Sequence, residues 1–178
     1  MYLSNGYPTL ENSYQTAIEY ADAGCRIMEV DFPSRNPYLE GQYIADRMAK
    51  ALEACDDYEK YMESMVKMKK LLPKVHFLVL AYENTVEEIG TEHFIEFCKE
   101  NDFKDVLLVG LKGETIKNQI IESGLKVSCY VQFHMLSEEI ESAKASNGFV
   151  YMQAKPNGNI NPDFPTLKDC IKHLRDCG

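Results

Sequence analysis

Cys25-Arg26-Ile27-Met28-Glu29-Val30-Asp31-Phe32-Pro33 is the stretch on which the fold turns. From Cys25 to Val30 it reads as a short strand, apolar on both faces except for Arg26 near its start and one glutamate. A solvent-facing antiparallel strand would alternate, so this one belongs in a parallel sheet covered on both sides. Five further runs share its character: Tyr2 to Asn5, Val75 to Tyr82, Val106 to Gly110, Val127 to Val131 and Phe149 to Ala154. Between them lie segments of helical period, from Thr9 to Tyr20, Thr91 to Glu100, Glu114 to Ser123, Ser137 to Ala145 and Thr166 to Asp176. Their starts carry turn or cap chemistry, with Ser137 as an expected N-cap, and Gly24, Gly124 and Gly148 stand where a helix hands over to a strand. Glu40 to Leu72 is long enough for two helices, broken near Asp56 and Asp57. With no linker or low-complexity segment, residues 1–178 read as one α/β domain of six βα units. Parallel strands with crossovers give a doubly wound sheet or a βα barrel, and a complete barrel has eight strands in roughly 200 residues or more.

Composition narrows the function. The chain of 178 residues carries 28 acidic and 19 basic side chains, a formal net charge of −9, which disfavours a nucleic-acid partner because phosphate binding needs a positive patch. No apolar window of membrane-spanning length and no secretory leader is present, so no membrane association and a cytoplasmic location are expected. Six cysteines fall singly and the four histidines are far apart, so we expect reduced thiols and no metal site. Asn5-Gly6-Tyr7 lacks the glycine pattern of a dinucleotide site, and there is no Walker lysine.

The chemistry concentrates after the second strand. A carboxylate inside an apolar strand must be paired or take up a proton, which makes Glu29 conspicuous. Glu29 and Asp31 share strand parity, so both could face a barrel interior, where two nearby carboxylates push at least one pKa upward, into a range useful for general acid–base work. The alternative is that Asp31 already lies in the loop and Glu29 pairs with a lysine.

The run Gly6-Tyr7-Pro8-Thr9-Leu10-Glu11, the uninterrupted Glu29-Val30-Asp31-Phe32-Pro33-Ser34-Arg35-Asn36-Pro37-Tyr38-Leu39-Glu40-Gly41, and Tyr82-Glu83-Asn84 together resemble the α subunit family of tryptophan synthase. Phe149-Val150-Tyr151 falls where that family has its sixth strand, so the resemblance covers nearly the whole chain. It implies a TIM-type (β/α) barrel topology, here partial, and a lyase of tryptophan biosynthesis that cleaves indole-3-glycerol phosphate to indole and glyceraldehyde 3-phosphate without cofactor or metal. It also implies a pyridoxal-phosphate-dependent β subunit as partner. By the resemblance Glu29 shuttles protons, Glu40 stabilises positive charge on the indole nitrogen, Tyr151 is an active-site tyrosine, and Tyr2, Leu80 and Tyr82 line the indole pocket.

Departures from the family pattern qualify this. Glu40 is one methylene longer than the family's aspartate, Asp31 replaces a glycine, Arg35-Asn36 replaces Ser-Asp, and Asn159 replaces the threonine of the loop after the sixth strand. The phosphate-gripping strands seven and eight would lie beyond Gly178 and a short helix would precede Tyr2, so the chain reads as a fragment or a shortened relative. In the latter case it could be a non-catalytic relative that binds a partner through the loops around Asn36 and Lys155, or an enzyme acting on another small substrate. His134 could reach the same rim, and Lys112 and Lys155 could contribute phosphate affinity, form a Schiff base, or remain surface lysines. Met48, Met62, Met65 and Met68 recur at helical spacing and read as core, and Asp56 to Lys60 as a solvated face.

Six strands of a partial barrel leave the first and sixth with unpaired backbone groups, and both are apolar. The chain is therefore expected to be a homo-oligomer, a homodimer in the simplest case, or a subunit of a larger complex. Light scattering in dilute buffer with salt should give a mass above one chain; a monodisperse mass near 20.4 kDa would contradict it.

Overall fold

The computed structural model describes residues 1–110, 114–158 and 160–178. In chain order it runs β1 (Tyr2–Leu3), α1 (Leu10–Asp22), β2 (Ile27–Asp31), α2 (Gln42–Ala54), α3 (Tyr58–Leu71), β3 (His76–Tyr82), α4 (Glu83–Ile89) and α5 (Thr91–Glu100). It continues with β4 (Asp105–Val109), α6 (Thr115–Glu122), β5 (Lys126–Val131), α7 (Ser137–Lys144), β6 (Val150–Met152) and α8 (Leu167–Asp176). All strand pairings are parallel and follow sequence order from β1 to β6, the topology of a partial barrel rather than of a doubly wound sheet.

Strand parity separates two apolar layers. Met28, Val30, Phe77, Val79, Val106 and Val127 face the helical shell and join one core with Phe32, Phe94, Phe97 and the Met62, Met65 and Met68 ridge of α3. Phe32 stands at its centre, edge-on to Phe94 and Phe97 with both ring centroids 5.9 Å away. The other parity carries Leu78, Leu80, Tyr82, Leu107 and Val109, which form a separate inward cluster with Met48, Ile44 and Tyr2. The second helix therefore packs across the inner face of the sheet. That is why the loop leading into it, residues 32–41, lies above the strand ends.

Helix starts follow the chemistry of their caps. Thr9 accepts from the Asn12 backbone N–H, Asp57 from that of Glu59, and Thr166 makes a reciprocal capping box with Asp169. Two sequence expectations fail here. Ser137 is the first helical residue and Leu136 the cap, with no side-chain cap bond, so α7 begins one residue earlier than cap preference suggests. Gly148 does not stop a helix: a Cβ there would lie 2.5 Å from the Val127 carbonyl oxygen, so the glycine is needed where the chain crosses β5 at close range. The fourth helix was not expected at all. It starts directly from β3 without a side-chain cap.

The six cysteines are free thiols, three buried and three half-buried. Among the described residues no helix is long and apolar enough to cross a membrane, and no group of His, Cys, Asp and Glu is arranged to hold a metal ion.

Candidate functional site

At the C-terminal ends of the strands the inward parity opens into a cavity of about 230 Å³. Its apolar walls are Leu80, Leu107, Val109 and Ile44. Tyr2, Tyr38, Tyr130 and Tyr151 add phenol rings, and Glu29 and Glu40 contribute carboxyls. The volume falls below the several hundred Å³ usual for drug-sized ligands and suits one compact ring system. A larger groove of about 780 Å³ runs along the outer shell, lined by Tyr14, Met62, Val66 and Phe97 among others. It lies between helices, away from the strand ends where parallel barrels carry their chemistry, so the smaller cavity is the functional candidate.

Glu29 belongs to β2 and projects from the sheet's inner face. Its pKa is pushed up to about 7, chiefly by burial and also by the Glu40 charge, with the N-terminal amino group and a hydrogen bond with Tyr151 partly opposing the rise. Its partner is thus a tyrosine of β6, and among the described residues no lysine, arginine or histidine side chain lines the cavity. The Tyr151 hydroxyl is in turn held above the ordinary phenol value, first by the Glu29 charge. Its ring tilts against Tyr130 at 5.9 Å, and burial pushes Tyr130 up to about 12.

Glu40 reaches the cavity from the loop between β2 and α2. Tyr82 Oη donates to its Oε1 at 2.8 Å, so the side chain longer than the family's aspartate is tied down rather than free. Tyr82 itself is fully buried and stands behind the cavity wall; it reaches a ligand only through Glu40. Just before Glu40, Leu39 sits in the left-handed region at φ 68°, a conformation that costs a β-carbon residue energy and is held where the surroundings fix it. The loop is pinned from below. Asn84 Nδ2 donates to Ser34 Oγ at 2.8 Å, the Asn36 N–H to the same oxygen at 3.1 Å, and Tyr58 Oη lies 3.1 Å from the Pro33 carbonyl. Arg35 closes the network with ion pairs to Asp56 and Glu88.

Asp31 is the last residue of its strand, not a loop residue, and is completely buried. It accepts from Tyr2 Oη at 2.5 Å and from the Asn5 backbone N–H at 2.6 Å. Burial raises its pKa to about 7 despite both bonds.

Of the six residues expected at the site, Glu29, Glu40, Tyr151, Tyr2 and Leu80 line one cavity, with Tyr82 one layer behind. His134 and Lys155 do not join it. Lys112 and Asn159 lie outside the described residues. Tyr38, Ile44, Leu107, Val109 and Tyr130 were not anticipated, although three of them share a parity and register with expected residues. Leu107 pairs with Leu80, Val109 with Tyr82, and Tyr130 with Tyr151.

The chain matches the family described as tryptophan synthase alpha chain over residues 1–177. It is 24% identical over 165 residues to the tryptophan synthase alpha chain of Staphylococcus carnosus, covering 88% of this chain and 66% of that one. It is 29% identical over 113 residues to that of Aquifex aeolicus, covering 64% and 43%. Among solved structures it is similar to tryptophan synthase of Mycobacterium tuberculosis, with a TM-score of 0.81 at 20% identity over 99% of this chain and 69% of that one. It is similar too to the Legionella pneumophila alpha subunit, with a TM-score of 0.81 at 18% identity and coverage of 99% and 67%. These structural likenesses establish the barrel fold. The chain thus spans between about two fifths and two thirds of the length of these curated relatives.

The raised pKa of Glu29 fixes a sign for stability. The folded chain holds this proton up to about 7, whereas the unfolded chain releases it near 4.5, so the folded state loses stability as pH rises between the two. Glu29→Gln should therefore gain on the wild type from pH 4.5 to 7 and level off above, by about 1–3 kcal/mol in all. Urea unfolding at pH 4.5, 6 and 8 checks this; a difference that does not change with pH contradicts it.

Proposed function

The chain belongs to the tryptophan synthase alpha chain family, and from that membership we propose that its strand-end cavity is a carbon–carbon lyase site acting on indole-3-glycerol phosphate. The observation that carries the reading is a carboxyl poised near neutrality, Glu29, facing a second carboxyl, Glu40, across a cavity of one ring's size.

In this reading the indole ring lies between Leu80, Leu107, Tyr2 and Tyr151, with its N–H toward Glu40. Glu29 in its protonated form delivers a proton to indole C3, and positive charge develops on the ring nitrogen. The Glu40 carboxyl beside that nitrogen favours the charged state over the ground state, which is where electrostatic catalysis gains. The bond between C3 and the side chain then breaks, its electron pair returns to the ring, and the adjacent hydroxyl becomes an aldehyde as its proton passes to Glu29. One proton is given and one taken, so Glu29 ends as it began. A pKa of about 7 suits both halves of this exchange. The Tyr151 hydroxyl orients the Glu29 carboxyl, and Tyr82 fixes where Glu40 sits.

A pyridoxal-phosphate-dependent β subunit is the partner the family resemblance supports. Asn36 and Lys155 are both exposed on loops that follow inner-face strands, and would face it.

Purified chain, with and without a β subunit, should release indole from indole-3-glycerol phosphate. Glu29→Gln should lower the rate by about 10²–10⁴ and Glu40→Ala by about 10². Indole release followed by chromatography decides: wild-type rates in Glu29→Gln, or no indole from the wild-type chain under either condition, would contradict the reading.

A further inference from the structure

Asp31 is the carboxyl that this reaction leaves unused. It stands two residues past Glu29 on the second strand, so the two side chains leave the same face, yet Asp31 touches neither the cavity nor solvent. Withdrawing a carboxyl from water is costly unless partners replace its hydration, and such groups are seldom kept for stability alone. Its partners are specific. Tyr2 donates through Oη, Asn5 through its backbone N–H, and the Arg47 guanidinium on α2 supplies an attractive field. Tyr2 pairs with Glu29 in the β1–β2 register and forms a wall of the cavity. The same carboxyl thus holds a wall residue by its hydroxyl and sits one same-face position along the strand from Glu29.

We propose that Asp31 is a positioning residue that fixes the Tyr2 ring and couples to Glu29, so that the two carboxyls titrate as one unit rather than independently. This rests on the reading of Glu29 as proton carrier. Same-face neighbours on a strand are about 7 Å apart, and two like charges at that distance in a partly desolvated site separate each other's ionisations. Burial brings both carboxyls to about 7, so they change charge in the same pH window, the condition under which coupling is visible. The groups facing them set the sign. Glu29 meets Tyr151 from β6, Glu40 from the loop and the Met1 amino group. Asp31 meets Tyr2, Asn5, Arg47 and Glu29, while the phenols Tyr61 of α3 and Tyr82 of β3 feel its charge. The cations among these neighbours, the Arg47 guanidinium and the Met1 amino group, weaken the mutual repulsion yet leave both carboxyls raised. Each carboxyl, once ionised, makes the other hold its proton to higher pH.

Carboxyl-carbon NMR of protein labelled with ¹³C at Asp and Glu reads both groups directly. In the wild type, Glu29 and Asp31 should each show two inflections, each reporting the other's ionisation. Asp31→Asn keeps one acceptor for Tyr2 but removes the charge, so Glu29 should titrate in a single step moved down by about half to one pH unit. Tyr2→Phe removes a bond that favours ionised Asp31, so the Asp31 midpoint should rise and the Glu29 midpoint fall. Single-step curves in the wild type, or an unmoved Glu29 midpoint in folded Asp31→Asn, would overturn the proposal. The wild-type titration decides even where the variants fail to fold. The readout is also separate from indole release: loss of the lyase reading with coupling intact refutes the reaction only.

Discussion

A carboxyl placed in the apolar wall of a buried parallel strand is the constraint around which the site is arranged. Glu29 cannot stay charged there without help, and the groups within reach, a tyrosine hydroxyl, the Glu40 carboxyl and the N-terminal amino group, do not together offset its burial. Burial therefore decides its protonation, and the cavity around it is acidic and phenolic in consequence. The fold supplies the location. Six parallel strands in sequential order turn one parity inward, and residues spaced by two on β2, β3 and β4 converge at the same end.

The second carboxyl arrives by a different route. Glu40 is placed by the loop that α2 holds across the inner face, and that loop is fixed by polar contacts from elements distant in sequence: Asn84 to Ser34, Tyr58 to Pro33, Arg35 to Asp56 and Glu88. The exposed ion pairs among these contribute little individually. Their value is geometric, because an error of about 1 Å in a charge-stabilising group is expensive in rate. Tyr82 adds the direct tether, which offsets the freedom that the extra methylene gives Glu40.

Much of this was legible in the residues. Strands apolar on both faces announce a parallel sheet, and the observed strands differ from the expected ones by one to three residues at their ends. The break near Asp56 and Asp57 was readable because Asp57 caps the helix that follows. Less legible was whatever depends on register. Leu107, Val109 and Tyr130 look like core residues until pairing aligns them with Leu80, Tyr82 and Tyr151. The Tyr2 to Asp31 bond depends on Tyr2 standing opposite Glu29, which no local pattern encodes. Gly148 misled because a glycine needed for close approach looks, in sequence, like one that ends a helix.

On the proposed reading an indole ring binds in the small strand-end cavity and not in the larger groove on the helical shell. A crystal structure of the chain soaked with indole tests this most directly. Ring density is expected between Leu80, Leu107, Tyr2 and Tyr151, with the ring N–H within hydrogen-bond reach of Glu40. Density only in the groove beside Met62, Val66 and Phe97, or an empty cavity at saturating indole, would contradict it.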